Sequence, residues 1–459
     1  MFGRWREKPS FKYEVLAACV LWLVAWVYFF QWGNTNVFLL FAAILWIYMA
    51  MNIWANDVAN NMWPAVGAKA LTLTGAIIIA AIFEASWAII AGWDVVNTIK
   101  WWIIDSSMIT NPQEFIYIMT ATLLGAALWI NIATYFKAPV SATHSIIWWL
   151  LWWGLTAYWA EIVDWSVVWK IAASWIISPL LWWIIAALIM LSIRKTIMKQ
   201  KHIDKAAKNW LPIYVWLMAA VFSIYLMLKW LKPLVKSSEW LSTIVTPTTS
   251  LFIGVVIGIS TIILTRLYLK KHKSLLRDNK KYINKLFNLP LICAVALLSF
   301  AHGANDVANA IWPLVAINET IQSAGLNTES VSIPFWIMFL WAAGLSLGLM
   351  IFGSRLIATV GWEITKLNQV RAFSVALAAA ITVILASQLG LPVSSTHIAL
   401  GWIFGVGLLR EHIKRSNGKN KSYIEKWMIK NIALAWVITL PVSAIISSIA
   451  FLSLMQLNG

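Results

Sequence analysis

Residues 54–66 read Trp-Ala-Asn-Asp-Val-Ala-Asn-Asn-Met-Trp-Pro-Ala-Val, and residues 303–315 read Gly-Ala-Asn-Asp-Val-Ala-Asn-Ala-Ile-Trp-Pro-Leu-Val. A second shared stretch follows each of them. Pro139-Val140-Ser141-Ala142-Thr143-His144 comes after the first, and Pro392-Val393-Ser394-Ser395-Thr396-His397 after the second. The order and rough spacing agree, so a whole arm of the chain is repeated rather than one motif.

The material around these stretches is apolar. Of 459 residues, 61% are hydrophobic and 12% charged, the latter about half the usual share for a soluble domain. Runs long enough to cross a bilayer, about 20 residues each, recur from 13–30 and 36–52 through to 373–389 and 427–454. The composition therefore implies an all-α polytopic membrane protein. Arg4, Arg6 and Lys8 precede a first run that lacks a small-residue cleavage site, which reads as a retained helix. The two cysteines, Cys19 and Cys293, lie in apolar runs and suit packing better than a disulfide or zinc site.

The net charge of +17 does not point to nucleic acid, because the basic residues sit in short connections at 194–208, 266–285 and 410–426. Such clusters mark cytoplasmic loops. With the N-terminus inside, the helix carrying Asn56-Asp57 runs from outside to inside. The helix after the basic loop at 266–285 carries Asn305-Asp306 from inside to outside. The same arm in opposite orientations is the pattern of alternating-access transporters. The expected layout is an extra helix in 1–32, a first repeat in 33–193 and basic loops with two inserted helices in 194–285. A second, inverted repeat follows in 286–459. Each repeat holds about five helices or half-helices.

Asp57, Glu84 and Asp306 are ionisable groups in or beside apolar segments, where charge is costly and commonly marks an ion path. Asn-Asp-x-x-x-Asn and a break in the helix around it would supply carboxylate, amide and carbonyl oxygens, the donors that suit a hard cation. The bland alternative is an interfacial loop. Pro-Val-Ser-x-Thr-His reads as a helix start, with Ser or Thr as cap. Unpaired N–H groups and positive potential at such a start suit an anion, although two ordinary caps would look the same. His144 and His397 could simply pack.

With the doubled motifs and Ser174-Trp175-Ile176-Ile177-Ser178-Pro179, the chain resembles the inorganic phosphate transporter family over nearly its whole length, apart from the insertion at 211–269. The resemblance implies a secondary transporter in the inner (plasma) membrane, not an enzyme, that takes up phosphate with sodium or protons. Sulfate is the alternative cargo, and an intramembrane aspartyl protease or a passive anion channel are rival readings. It implies cation ligands at Asn56, Asp57, Asn60, Asn305, Asp306 and Asn309. Anion contacts would fall at Ser141, Thr143, Ser394, Ser395 and Thr396, with Glu84 in coupling. It implies no cofactor and no nucleic-acid partner, and leaves monomer or homodimer open. Two features depart from the family. A second glutamate is missing, where Phe373-Ser374-Val375-Ala376-Leu377 stands, and Lys137 faces Gly390 of the other arm.

Thirty-three tryptophans against 21 glycines invert the usual ratio, although helices that cross in membranes need small residues. Aligning the arms sets Trp54 against Gly303, Trp148 against Gly401 and Trp152 against Gly405. The expectation is that some tryptophans are glycines in the living protein, from UGA codons read under the wrong code. Trp129, Trp165 and Trp175 read as genuine interfacial tryptophans.

Overall fold

The computed structural model describes residues 36–99, 109, 111–135, 140–230, 246–322, 334–348, 367–388, 394–415 and 426–456. The expected first helix, Lys137 and Gly390 lie outside them. The described residues form helices and connecting turns, with no strand. Among the described residues, six helices are long and apolar enough to cross a membrane, or seven if the bent pair Lys280–Leu286 and Asn288–Gly303 is one span.

The first arm comprises α1 (Val37–Gly67), α2 (Leu73–Ile99), α3 (Pro112–Tyr135), α4 (Ala142–Tyr158) and α5 (Trp165–Ile193). Two helices follow, α6 (Ile203–Trp230) and α7 (Pro247–Lys271), then a short α8 (Lys280–Leu286). The second arm comprises α9 (Asn288–Gln322), α10 (Phe335–Gly348), α11 (Gln369–Gln388), α12 (Ser395–Arg415) and α13 (Lys426–Gln456).

Local chemistry explains several starts. Asn36 accepts from the Phe38 N–H at 2.9 Å to open α1. The Asp164 carboxylate accepts from Ser166 and Val167 at the head of α5. Thr246 and Thr249 exchange hydrogen bonds in a capping box, with Pro247 in the first turn of α7. Each device satisfies N–H groups that a helix cannot pair internally. At its far end α1 stops where Lys69 takes a positive φ of 60°, and the Ala70 N–H reaches back to the Ala65 carbonyl.

Packing follows one scheme used twice. α9 packs on α2 as α1 packs on α10, and α9 packs on α11 as α1 packs on α3. α5 lies against both α11 and α12, as α13 lies against both α3 and α4. α1 crosses its counterpart α9, and α2 meets α10. α6 and α7 stand outside this exchange and pack chiefly on each other. Similar sequences fold into similar arms, and each arm buries its face against the other. The hydrophobic stretches of α3 and α11 are the most enclosed, 78% buried in each case, against 28% for α5 and 22% for α7. α1, which carries the first Asn-Asp motif, is 71% buried, and the outer helices present leucine and isoleucine outward, as a lipid-facing surface requires.

The structure corrects one expectation. The Asn-Asp motifs do not lie at a break. α1 runs unbroken through Asn56–Asn60 and past Pro64, and α9 runs unbroken through 305–309 and past Pro313. The backbone carbonyls there belong to helical ladders, so the motifs offer side chains and no freed carbonyls. Packing against neighbouring helices keeps the helix continuous where hydropathy alone suggests an end.

Candidate functional site

The two Pro-Val-Ser motifs open α4 and α12, and both serines act as caps. Ser141 Oγ accepts from the His144 N–H at 3.1 Å, and Ser394 Oγ accepts from the His397 N–H at 3.1 Å. The two helix starts meet: the His144 and His397 rings contact edge to face with centroids 4.1 Å apart. His144 also lies against Trp175, with centroids 3.6 Å apart. The histidines therefore pack, as the simpler reading of the sequence allows.

Val140, extended just before α4, is held at both ends. Its N–H donates to Asn56 Oδ1 at 3.1 Å, and its carbonyl accepts from the Thr396 hydroxyl at 2.9 Å. Irregular backbone inside a membrane protein must find such partners. Asn56 also donates to Thr134 Oγ1 at 3.1 Å, so both ends of its amide brace the first arm.

Thr396 is the point where the two motif types join. Its Oγ1 lies 3.2 Å from Asp57 Oδ1 and accepts from Asn60 Nδ2 at 3.1 Å. Asn60 donates as well to Asp57 Oδ1 at 3.0 Å. A carboxylate, an amide and a hydroxyl are thus assembled from α1 and the head of α12, with Asp57, Asn60 and Thr396 all buried. Oxygens of this kind, one of them charged, suit a hard monovalent or divalent cation. Ser141, Thr143 and Ser394 are buried at the two helix starts beside the cluster. The side chains of Asn305, Asp306, Asn309 and Ser395 lie outside the described residues.

Glu84 is fully buried on α2 and accepts from Asn61 Nδ2 at 2.7 Å. Its backbone also lies under Gly303, where an added Cβ would stand 3.0 Å from the Glu84 carbonyl oxygen. Glu84 therefore touches α1 through its side chain and α9 through its main chain.

Sequence reasoning misses three residues. Asn61 matches Ala310 in the other arm, so the repeat does not single it out, yet it orients Glu84. Thr134 gives no signal beyond being polar in an apolar run. His302 precedes the second motif, where the first arm has Ile53, and that asymmetry is the available clue. His302 is buried and lines a small cavity with Asn60, Asn61, Trp63 and Trp182. The cavity has room for about one water. Trp182 closes its wall and donates to the Val375 carbonyl at 3.1 Å. Trp129, expected at the membrane interface, is buried at 7% exposure, and Trp175 is partly buried with its ring tilted against His144. Trp165 is 43% exposed.

Apolar spans surrounding a buried polar cluster, at the meeting of two helix starts, define a membrane transport protein. The chain belongs to the phosphate transporter family, whose sequence profile matches residues 53–447. Among its relatives, proteins named "Putative phosphate permease" occur in Helicobacter pylori and Pyrococcus furiosus. The first is 47% identical over 392 residues, covering 85% of this chain and 72% of the relative. The second is 37% identical over 421 residues, covering 92% of this chain and 97% of the relative. A solved structure, "The sodium-dependent phosphate transporter", superposes with a TM-score of 0.79 at 32% identity, covering 92% of this chain and all of that one. Family and neighbour are transporters and not enzymes, so the protease reading falls.

Proposed function

We propose that this protein takes up inorganic phosphate by symport with sodium, through alternating exposure of one site shared by two inverted arms. The observation that carries this reading is the Thr396–Asp57–Asn60 cluster. It joins the second Pro-Val-Ser motif to the first Asn-Asp motif.

Asp57 supplies the formal charge a cation needs in a low-dielectric surrounding, and Asn60 and Thr396 supply neutral oxygens. Phosphate binds next to the cation, against the N-terminal turns of α4 and α12. There Ser141, Thr143, Ser394, Ser395 and Thr396 offer hydroxyls and the helix dipoles favour an anion. Opposite charges side by side stabilise each other, so each ion raises the affinity for the other, which is what coupling requires. Asn305, Asp306 and Asn309 form the matching cation set of the second arm. Glu84, touching both α1 and α9, is placed to report occupancy from one arm to the other. Inversion of the arms is supported by the exchange of packing partners and by the basic loops. The neighbour's sodium dependence supports sodium over protons.

The test is uptake of radiolabelled phosphate into proteoliposomes, with an inward sodium gradient, without one, and with a proton gradient alone. Sodium-driven accumulation that competing sulfate does not suppress is expected. Accumulation driven only by protons would overturn the sodium assignment, and suppression by sulfate would move the cargo to that oxyanion. Downhill flux that no cation gradient affects would replace the symporter with a channel.

A further inference from the structure

We infer that positions 54, 148 and 152, tryptophan in this sequence, are helix-crossing glycines in the protein the cell makes. The codons behind them would be UGA, which some bacteria read as tryptophan and others as glycine.

The second arm shows what these positions do. At Gly303 an added Cβ would lie 3.0 Å from the Glu84 carbonyl oxygen and 3.2 Å from its Cα. At Gly401 it would lie 2.8 Å from the Pro179 carbonyl oxygen, and at Gly405 3.1 Å from that of Trp183. Backbone stands in the way at all three, joined at Gly401 by Trp182 Cε3 at 2.8 Å and at Gly405 by Trp183 Cδ1 at 2.6 Å, and backbone cannot rotate aside as a side chain can. Gly303 therefore sets the α9–α2 crossing, and Gly401 and Gly405 set the α12–α5 crossing. Small residues serve this purpose in membrane helices because they let backbones approach.

The first arm repeats both crossings, as α1 on α10 and α4 on α13, and the alignment of the two arms puts indoles at the matching sequence positions, with Trp148 lying against Trp175 of α5 at 6.3 Å between ring centroids. Trp54 is wholly buried, edge-on to His302 and Trp341 with ring centroids 5.4 and 6.4 Å away. Trp152 is pushed to 39% exposure. The indole nitrogens of Trp54 and Trp148 have no acceptor among the described residues, but neither do those of Trp129 and Trp175. Unpaired indoles therefore do not separate the two classes, and crossing geometry does. The repeat is silent where both arms carry tryptophan, as at Trp63 and Trp312.

The consequence for the site is local. Trp54 sits one helical turn before Asp57 and against His302, so glycine there empties the space beside the cation cluster. His302, against which Trp54 packs, also lines the cavity with Asn60 and Asn61.

The experiment reads the codons of the gene, and the masses of peptides from the protein purified from its native cells. UGA codons and glycine masses at positions 54, 148 and 152, with UGG and a tryptophan mass at Trp165, are expected. Tryptophan masses at the three positions would overturn the inference, whatever the transport assays return. As an independent arm, the chain with all its tryptophans and a W54G/W148G/W152G chain are reconstituted side by side. The glycine chain should transport at least tenfold faster, and equal rates would contradict the crossing role.

Discussion

The Thr396 hydroxyl stands 3.2 Å from the Asp57 carboxylate, bringing the second copy of one motif onto the first copy of the other. Because the same hydroxyl lies 2.9 Å from the Val140 carbonyl, Thr396 ties together the two helix starts and the acid. Any movement of α12 relative to α1 must alter the surroundings of that charge. In the proposed cycle this is how cation binding and arm movement are linked.

Asp57→Asn should abolish cation-driven uptake while leaving the fold intact. The amide oxygen can still accept from Asn60 and Thr396, but the charge that holds a cation is gone. Asp306→Asn should do the same through the second arm. Uptake with and without the gradient, set beside a melting curve, checks both points. Near-normal coupled uptake in both variants would remove the carboxylates from the cation site.

Thr396→Val keeps the shape and deletes the hydroxyl, leaving the Val140 carbonyl short of a donor. An unsatisfied buried group costs about 1–3 kcal/mol, so both stability and uptake should fall. Thr396→Ser should restore most of each. If valine and serine behave alike in unfolding and in transport, the hydroxyl is not the joint between the arms.

Ser141→Ala and Ser394→Ala each remove a helix cap, worth about 0.5–2 kcal/mol. Each also removes a proposed phosphate donor. The half-saturation concentration for phosphate should rise roughly tenfold, as expected for losing a hydrogen bond to a charged group. Sodium dependence should change little. Small, equal shifts for both ions would reduce the serines to caps.

Inversion of the arms has its own test. Asn61 is unsuitable for a probe, because it is buried and bonded to Glu84. Lys69, just past the end of α1, and Gln322, the last residue of α9, are exposed. In a background with Cys19 and Cys293 replaced and uptake retained, Lys69→Cys should be labelled from the cytoplasm. Gln322→Cys should be labelled from outside by an impermeant reagent. Labelling of both from one side would mean that the arms run parallel, and the shared site would fall with them.

Much of this protein can be read from its residues in order. The doubled Ala-Asn-Asp-Val-Ala-Asn and Pro-Val-Ser-x-Thr-His stretches mark two equivalent arms. Hydropathy marks a helical membrane protein, and Pro-Val-Ser marks the two helix starts that Ser141 and Ser394 cap. These signals are local: a cap needs the next three residues, and a span needs one apolar run. Tertiary structure alone decided which parts meet. It set Thr396 against Asp57, Asn61 against Glu84 and His302 into the cavity wall, buried Trp129, and kept α1 and α9 helical through motifs that look like breaks. Such choices depend on the summed packing of helices hundreds of residues apart, where no single residue's preference carries the information.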